Sequence, residues 1–371
     1  YCLCLAGLLG IVITGDLFNI FVFMEISSLS TYVLIALGRQ RRALLAAFQY
    51  LIVGTIGATF YVIGIGLLYL VTGSLNIVDV AARLQNVTEL RPLLAALAFI
   101  TVGLGLKLAL FPLHQWLPNA YAHAPSVVTT FLAATATKVS VYVLIRFYFL
   151  VFGHTFALDG LPLRSLLVGL SAVAIVAMSL VALFQPDLKR MLAYSSVAQI
   201  GYITLGLGLA NAAGLTGSLA HLVNHGVTKG ALFLLAGGIA FCCGSTSIAD
   251  LRGLARRMPW TAFAFVVAGL SLIGVPGTAG FTSKWFLVEG ALGNGQTWIV
   301  VLIVASSLLA VAYVWRVVEA MYLVLPDAPA PAQAPAAAPL LMRASTAVAV
   351  ALTVVLGFVT AYNVGYARRA V

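Results

Sequence analysis

Long apolar stretches, separated by a few polar residues each, fill almost the whole chain. A membrane-spanning helix needs about 20 mainly apolar residues, and on that criterion the pattern predicts about eleven spans. They cover residues 1–15, 17–37, 44–72, 93–122, 125–152, 164–184, 191–209, 215–243, 260–291, 298–324 and 344–364. The runs are continuous rather than alternating, which disfavours a β-barrel. The pattern therefore predicts an all-α, multi-pass protein of the cell (inner) membrane.

Proline and glycine interrupt two of these spans. Pro112 follows Lys107 in LKLALFPLHQWLP, and Pro276 and Gly277 precede Lys284 in GVPGTAGFTSK. Proline removes a backbone donor and clashes with the preceding turn, so we expect both helices to break there. Proline and glycine are also common in membrane helices generally. A lysine beside each break nevertheless favours functional breaks.

The two breaks fall in the fourth and ninth predicted spans. This spacing is consistent with two five-helix repeats, and paired broken helices are typical of inverted repeats in transporters. The predicted organisation is a first repeat over 1–152, a second over 153–324, a Pro/Ala-rich linker over 325–343, and a last membrane helix with its tail over 344–371.

Composition supports a membrane protein and excludes several other classes. The chain is 62% hydrophobic and 8% charged, whereas soluble domains carry roughly 25% charged residues. The net charge of +10 is explained by loop arginines and buried lysines, so we predict no nucleic-acid partner. The four cysteines lie in apolar runs without a CxxC motif, which argues against a metal or redox site. We see no soluble domain and predict no cofactor in this chain.

Charged residues inside the predicted spans are the candidate functional groups. Four of the five lysines lie in such spans, whereas Lys189 is predicted to lie in a polar loop. Glu25 adds a carboxylate within LFNIFVFMEISSLSTYVLI. Charged groups within a membrane are costly and typically mark ion or proton routes. The four lysines are Lys107, Lys138, Lys229 and Lys284.

Lys107 and Lys138 are predicted to lie near mid-depth in consecutive spans. The charge of a buried lysine depends on nearby carboxylates, so such a residue can accept and release a proton. Movement of Glu25 relative to Lys107 would then control that proton. The alternative for Glu25 is a neutral glutamic acid that is hydrogen-bonded within the bundle.

His221, His225 and Lys229 share one face of a predicted helix. Histidine titrates near neutral pH and can pass protons, so this face suggests a relay. The alternative is that the histidines are hydrogen-bonded packing residues. The helix offers no further metal ligands, and no metal site is predicted. Arg316 and Glu319, three residues apart, are expected to pair locally without a functional role.

Five ordered segments give the chain a family resemblance. They are GDLFNIFVFMEISSLSTYVLIALG, LKLALFPLHQWLPNAYAHAPSVVTTFLAATATKVSVYVLIRF, LKRMLAYSSVAQIGYITLGLG, HLVNHGVTKGALFLLAGG and GVPGTAGFTSKWFL. This series resembles the antiporter-like membrane subunits of respiratory complex I, Mrp-type cation/proton antiporters and membrane-bound hydrogenases. The first segment is most similar to the D-type subunit of Mrp antiporters, with the quinone-proximal complex I subunit close behind.

The resemblance implies fourteen core helices, with inverted repeats formed by helices 4–8 and 9–13. The chain would then begin in helix 4 and lack the first three. Glu25 and Lys107 would form a switchable pair at the helix-7 break, and Lys138 would continue the relay. The helix-11 series would be His221, His225 and Lys229, with Lys284 facing the exit.

The predicted function is proton translocation within a multisubunit membrane complex, most similar to the D-type subunit of an Mrp antiporter. The alternative is a proton-pumping subunit of NADH:quinone oxidoreductase or of a membrane-bound hydrogenase, and membership of such an enzyme is left open. Expected partners are other membrane subunits, protons, Na+ or K+, and membrane lipid. A stand-alone solute carrier and a scaffold that no longer pumps are the remaining alternatives.

Overall fold

The computed structural model describes residues 1–153, 157, 162–324, 338–359 and 364–365. Within these residues, nine helical segments are long and apolar enough to cross a membrane, and one of them, Ser126–Val151, is made of three consecutive helices. Cys2–Ile13 and Pro259–Ile273 are shorter apolar helices. Several predicted spans are divided into two helices by a break. The prediction of an all-α, multi-pass membrane protein with broken helices is therefore confirmed.

The chain divides into two compact units. Unit 1 comprises Tyr1–Pro125 and Thr135–Leu166, and unit 2 comprises Ser126–Ala134 and Leu167–Val371. The helices that begin in unit 1 are α1 (Cys2–Ile13), α2 (Leu17–Ala36), α3 (Arg41–Thr72), α4 (Ile77–Leu84), α5 (Leu90–Leu108), α6 (Trp116–His123), α8 (Ala136–Ile145) with the π-helix Arg146–Val151, and α9 (Leu163–Leu183), which continues into unit 2.

Unit 2 contains most of α9 and the remaining helices. They are α7 (Ser126–Ala134), α10 (Leu188–Leu209), α11 (Ala212–Cys243), the 3₁₀ helix Ile248–Leu251, α12 (Leu254–Arg257), α13 (Pro259–Ile273), α14 (Ala279–Gly293), α15 (Thr297–Tyr322) and α16 (Leu340–Phe358). The predicted linker is mostly outside the described residues, and α16 begins at Leu340, before the expected position 344.

Each unit contains one short antiparallel bridge of the same design. In unit 1 the bridge joins Asp16 to Asn76, and in unit 2 it joins Asp187 to Ser247, the same distance apart in the chain. Each aspartate also caps the helix that follows: Asp16 accepts from the Asn19 N–H at 2.8 Å, and Asp187 from the Arg190 N–H at 2.9 Å. Such caps satisfy backbone donors that a helix start leaves free. The same local design therefore occurs in both units, while the division into two repeats stays a prediction.

An arginine from a later helix donates hydrogen bonds to backbone carbonyls next to each bridge. Arg146 donates to the Thr14 carbonyl at 2.7 Å, and Arg316 donates to the carbonyls of Leu183 at 2.5 Å and Gln185 at 2.9 Å. In the described part of the chain no ion pair joins Arg316 to Glu319, so the expected local pairing is wrong. The carbonyls that precede α10 are closer acceptors for this guanidinium group.

Lys189 lies in a helix, so the prediction that it is a loop residue is wrong. Asp187 caps α10, so the helix begins at Leu188 and includes Lys189 in its first turn. Lys189 is 7% exposed. In the polar run QPDLKR, the last three residues thus begin a helix, and the bridge at Asp187 fixes its start.

Glycines allow α3 and α5 to approach closely in unit 1. A Cβ atom added at Gly103 would lie 2.7 Å from the Gly57 carbonyl oxygen and 2.8 Å from the Tyr61 nitrogen. Small residues permit such backbone contact between membrane helices. This packing fixes the end of α5 that carries Lys107.

Candidate proton-transfer sites

The first predicted break lies directly after Lys107. Helix α5 ends at Leu108, and Ala109 adopts a left-handed conformation with a φ of 61°. Pro112 lies in the turn that leads to α6 at Trp116. The Trp116 indole donates to the Leu106 carbonyl at 2.8 Å, which in the described part of the chain otherwise accepts only a long bond of 3.4 Å from the Ala109 N–H. The break is a defined structure that places Lys107 in the last turn of a helix.

Lys107 contacts a carboxylate on another helix of unit 1. Its Nζ lies 3.2 Å from Glu25 Oε1 on α2 and donates to Ser28 Oγ at 2.7 Å. The Lys107 side chain is 4% exposed, whereas that of Glu25 is 26% exposed. A counter-charge and hydrogen-bond acceptors both stabilise a buried ammonium, and Glu25 and Ser28 supply them here. The structure thus brings together two residues that are far apart in the sequence.

Lys138 follows a third break that the sequence analysis did not predict. Helix α7 ends at Ala134 and α8 begins at Ala136, with Thr135 between them at a φ of −123° and a ψ of −55°. Lys138 is buried in unit 1, and its Nζ donates to Thr137 Oγ1 at 3.3 Å. No proline or glycine marks this break. The run of threonines around Lys138 is the only signal in TTFLAATATK.

The second predicted break places Lys284 in unit 2. Helix α13 ends at Ile273, and α14 begins at Ala279. Gly274 and Gly277 between them have φ values of 89° and 85°, in the left-handed region that favours glycine. Pro276 lies between these glycines. The break frees the Ile273 carbonyl, and Lys284 Nζ donates to it at 2.8 Å.

Lys284 has two further contacts inside unit 2. Its Nζ donates to Ser307 Oγ at 3.0 Å and lies 4.8 Å from the centroid of the Tyr202 ring. The residue is 5% exposed. The partners are a carbonyl, a hydroxyl and an aromatic face, all uncharged.

The two histidines of α11 lie together in the interior of unit 2. His221 Nδ1 lies 2.8 Å from Ser283 Oγ, and Nε2 lies 2.9 Å from Gln199 Oε1. The rings of His221 and His225 stack with centroids 5.9 Å apart and an angle of 8°. A neutral imidazole donates from one nitrogen and accepts at the other, so Gln199 and Ser283 suit both nitrogens of His221.

Lys229 completes this face of α11. It is fully buried, and its Nζ donates to the Leu192 carbonyl at 2.8 Å and to Ser195 Oγ. Both acceptors belong to α10. Two of the three titratable residues of this face, His221 and Lys229, therefore contact polar groups of α10.

Sequence reasoning missed the neutral partners of these groups. Ser195, Gln199 and Tyr202 on α10 contact Lys229, His221 and Lys284 respectively. Neutral polar residues in an apolar helix do not stand out, so composition offers no signal for them. In the described part of the chain, no group of three or more His, Cys, Asp or Glu residues has an arrangement that could hold a metal ion.

Comparison with known proteins identifies the family. Residues 14–310 match the family described as NADH:quinone oxidoreductase/Mrp antiporter, TM. The chain belongs to this family. The matched region contains both bridges, Glu25, the four lysines beside or between the breaks, and both histidines of α11.

Two curated relatives illustrate the range of the family. The chain is 49% identical over 318 residues to the N-type subunit of NADH-quinone oxidoreductase from Desulforudis audaxviator, covering 86% of this chain and 63% of the relative. It is 32% identical over 309 residues to the D-type subunit of the Na(+)/H(+) antiporter from Alkalihalophilus pseudofirmus, covering 83% and 62% respectively. The chain therefore spans less than two thirds of the length of these relatives.

Solved structures of multisubunit membrane complexes contain similar chains. A chain of the Mrp complex from Dietzia sp. aligns with a TM-score of 0.89 at 28% identity, over 99% of this chain and 75% of that chain. A chain of the archaeal membrane-bound sulfane sulfur reductase aligns at 0.87 and 31%, over 99% and 74%. A chain of Thermus thermophilus respiratory complex I aligns at 0.78 and 29%, over 98% and 78%.

Proposed function

We propose that this chain translocates protons as one subunit of a multisubunit membrane complex. The observation that carries the proposal is the 3.2 Å contact between Lys107 Nζ and Glu25 Oε1, which joins two helices directly beside a helix break. Intramembrane charged pairs of this kind are typical of proton routes. Family membership supports the same function.

In this proposal the pair acts as an electrostatic switch. While Glu25 contacts Lys107, the carboxylate stabilises the ammonium group. When the two separate, the ammonium loses that stabilisation inside a poorly polarisable environment and releases its proton. Lys107 is one residue from the end of α5, so a small change in the break alters the contact without unfolding the helix.

We assign the onward path to Lys138, His221, His225, Lys229 and Lys284. His221 is suited to proton transfer because Gln199 holds one ring nitrogen while Ser283 faces the other. The ring can therefore exchange a proton at Nδ1, where the Ser283 hydroxyl can both donate and accept, while Gln199 holds its orientation. Lys284, beside the second break, is the proposed terminal residue of the path.

Two kinds of assembly are candidates for the whole complex. Relatives named as D-type antiporter subunits, at 31–36% identity, support an Mrp-type monovalent cation/proton antiporter that exchanges Na+ or K+. The 49% identity to an N-type oxidoreductase subunit favours the alternative, a proton-pumping subunit of NADH:quinone oxidoreductase. In either complex we expect the membrane helices of other subunits, with lipid, to cover the exposed apolar faces.

Purification of the full-length protein in mild detergent from its native membranes distinguishes these assemblies. Flavin and iron–sulfur absorbance, together with NADH-driven proton uptake in reconstituted vesicles, would identify the oxidoreductase. A colourless complex that exchanges Na+ or K+ for protons would identify the antiporter. If the reconstituted complex moved no protons under either driving force, the proposed function would be wrong.

A further inference from the structure

We propose that Tyr202 is the charge partner of Lys284, so that the face of its ring stabilises the buried ammonium group in place of a carboxylate. The Lys284 Nζ lies 4.8 Å from the Tyr202 ring centroid, well within the distance at which an ammonium is attracted to an aromatic face. Tyr202 is here a positioning residue, acting through Lys284. The inference rests on the proposed proton path for the coupling to His221 and for the transport measurement below, but not for the unfolding measurement.

Lys284 needs such a partner because it is buried without a nearby negative charge. It is 5% exposed, and its hydrogen-bond acceptors are the neutral Ile273 carbonyl and Ser307 hydroxyl. Within the described residues, no carboxylate lies within 4.0 Å of its Nζ. A desolvated ammonium interacts with an aromatic face more strongly than an exposed one, because water no longer competes.

The ring of Tyr202 is held in place from two sides. Its hydroxyl forms a hydrogen bond with Ser306 on α15, and Ser306 Oγ donates in turn to the Ile303 carbonyl at 3.0 Å. The ring also lies 5.6 Å from that of His221, at an angle of 48°. Tyr202 is 1% exposed, so its orientation is fixed by packing.

This arrangement makes Tyr202 common to two proposed proton carriers. The same ring contacts Lys284 and His221, so a positive charge on His221 would lie close to the ring that stabilises the ammonium. We expect the two residues to favour charge on one carrier at a time. Tyr202 thereby couples their protonation without carrying a proton itself.

A series of fluorinated phenylalanines at position 202 tests the ring directly. Each added fluorine withdraws electrons from the ring face while hardly changing its size. In the purified complex we expect the unfolding midpoint to fall stepwise with fluorination, by about 2–4 °C in total, because the cation–π contact weakens. In the Lys284→Met background, which has no ammonium, the midpoint should not depend on fluorination.

Equal dependence on fluorination in the two Lys284 backgrounds would overturn the inference, because it would show a packing effect. Tyr148 provides a matched control in unit 1: it is fully buried and its hydroxyl bonds Thr101 at 3.0 Å. Fluorination there should have the same effect with or without Lys284. This readout requires no transport, so it stands even if the proposed function fails.

Transport gives a second readout in a complex that moves protons. Tyr202→Phe keeps the ring and should retain most of the proton flux, whereas Tyr202→Leu removes it and should lower the flux on the order of tenfold. A flux that is equal in Tyr202→Phe and Tyr202→Leu would contradict the role of the ring, while leaving proton translocation itself established.

Discussion

Units 1 and 2 share a frame but differ in how they hold a lysine beside a helix break. Each has an aspartate-capped bridge braced by an arginine. In unit 1, Lys107 contacts the Glu25 carboxylate. In unit 2, Lys284 contacts a carbonyl, a hydroxyl and an aromatic ring. The shared bridge and arginine contacts therefore do not determine which group stabilises the lysine charge.

The difference suggests two ways to control a buried proton. A carboxylate is a full charge, and moving it changes the energy of the ammonium strongly. Neutral dipoles and an aromatic face each contribute less, so several must act together. We infer that one residue, Glu25, controls the charge of Lys107 in unit 1. In unit 2, several neutral groups together stabilise the charged form of Lys284.

The largest expected effect is loss of the carboxylate in unit 1. Glu25→Gln leaves Lys107 without its counter-charge, and we expect proton translocation to fall to background, measured as the pH gradient formed by reconstituted vesicles. Removing one partner of a buried pair costs about 3–5 kcal/mol when the other stays charged. Lys107 is therefore expected to lose its proton permanently, with the complex still assembled.

Lys107→Met removes the other partner and should abolish translocation as well. The Glu25 side chain is 26% exposed against 4% for Lys107, so a charge left on Glu25 is better solvated. The unfolding midpoint should accordingly fall less in Lys107→Met than in Glu25→Gln. Normal pumping in either variant would contradict the switch.

The second prediction concerns the space around Lys284. A Cβ atom at Gly274 would lie 3.0 Å from Lys284 Cδ and 3.5 Å from its Nζ, and the φ of 89° is unfavourable for alanine. Gly274→Ala should therefore displace the Lys284 side chain and reduce proton flux on the order of tenfold. The strained backbone should also lower the free energy of unfolding by about 1–2 kcal/mol.

Gly244→Ala is the matched control for this change. Gly244 also ends a helix of unit 2 with a positive φ, of 72°, but nothing lies within 4 Å of an added Cβ atom. We expect a similar loss of stability with flux per assembled complex unchanged. If both variants lost flux equally, backbone strain rather than displacement of Lys284 would be responsible.

A smaller effect should separate the two lysines through their hydroxyl partners. Ser307→Ala removes one of the two neutral hydrogen-bond acceptors that the described residues offer Lys284. Ser28→Ala removes one acceptor of Lys107, but Lys107 keeps its contact with Glu25. A hydrogen bond to a charged group contributes about 1.5–3 kcal/mol to stability. In unit 1 the Glu25 carboxylate still stabilises the ammonium after that bond is lost, whereas Lys284 has no carboxylate partner in the described part of unit 2. Proton flux should fall roughly tenfold in Ser307→Ala and roughly threefold in Ser28→Ala. The reverse order would contradict the contrast between the units.

The sequence was sufficient for the fold class and for the charged candidates, for a physical reason. Charges in long apolar runs are rare because they are costly, so Glu25 and the four lysines are visible without any structure. Proline and glycine mark the breaks near Lys107 and Lys284 because their backbone properties are local. The proposed roles of these residues stay predictions.

Other features depend on tertiary contacts and could not be inferred. The break at Thr135 has no proline or glycine, and Lys189 resembles a loop residue because the cap and bridge at Asp187 are not visible in a polar run. Gln199 and Tyr202 are ordinary residues of an apolar helix until α11 and α14 bring His221 and Lys284 against them. Neutral polar partners are found by geometry, not by composition.

The smallest effect is expected at a pair outside the membrane-spanning helices. Asp79 and Arg83 on α4 form an ion pair at 2.9 Å with side chains 43% and 52% exposed. Hydrogen bonds from Arg83 and then Ser74 lower the pKa of Asp79 below its ordinary value. The stabilisation is therefore present above the unfolded-state pKa, about 4, and is lost as pH falls through the folded-state value. Exposed pairs contribute little, so Asp79→Asn should leave proton flux unchanged and lower the unfolding midpoint slightly at neutral pH, with the difference vanishing in acid. A flux loss as large as that of Glu25→Gln would contradict this prediction. It would show that burial does not explain why the pair of Glu25 and Lys107 matters for transport.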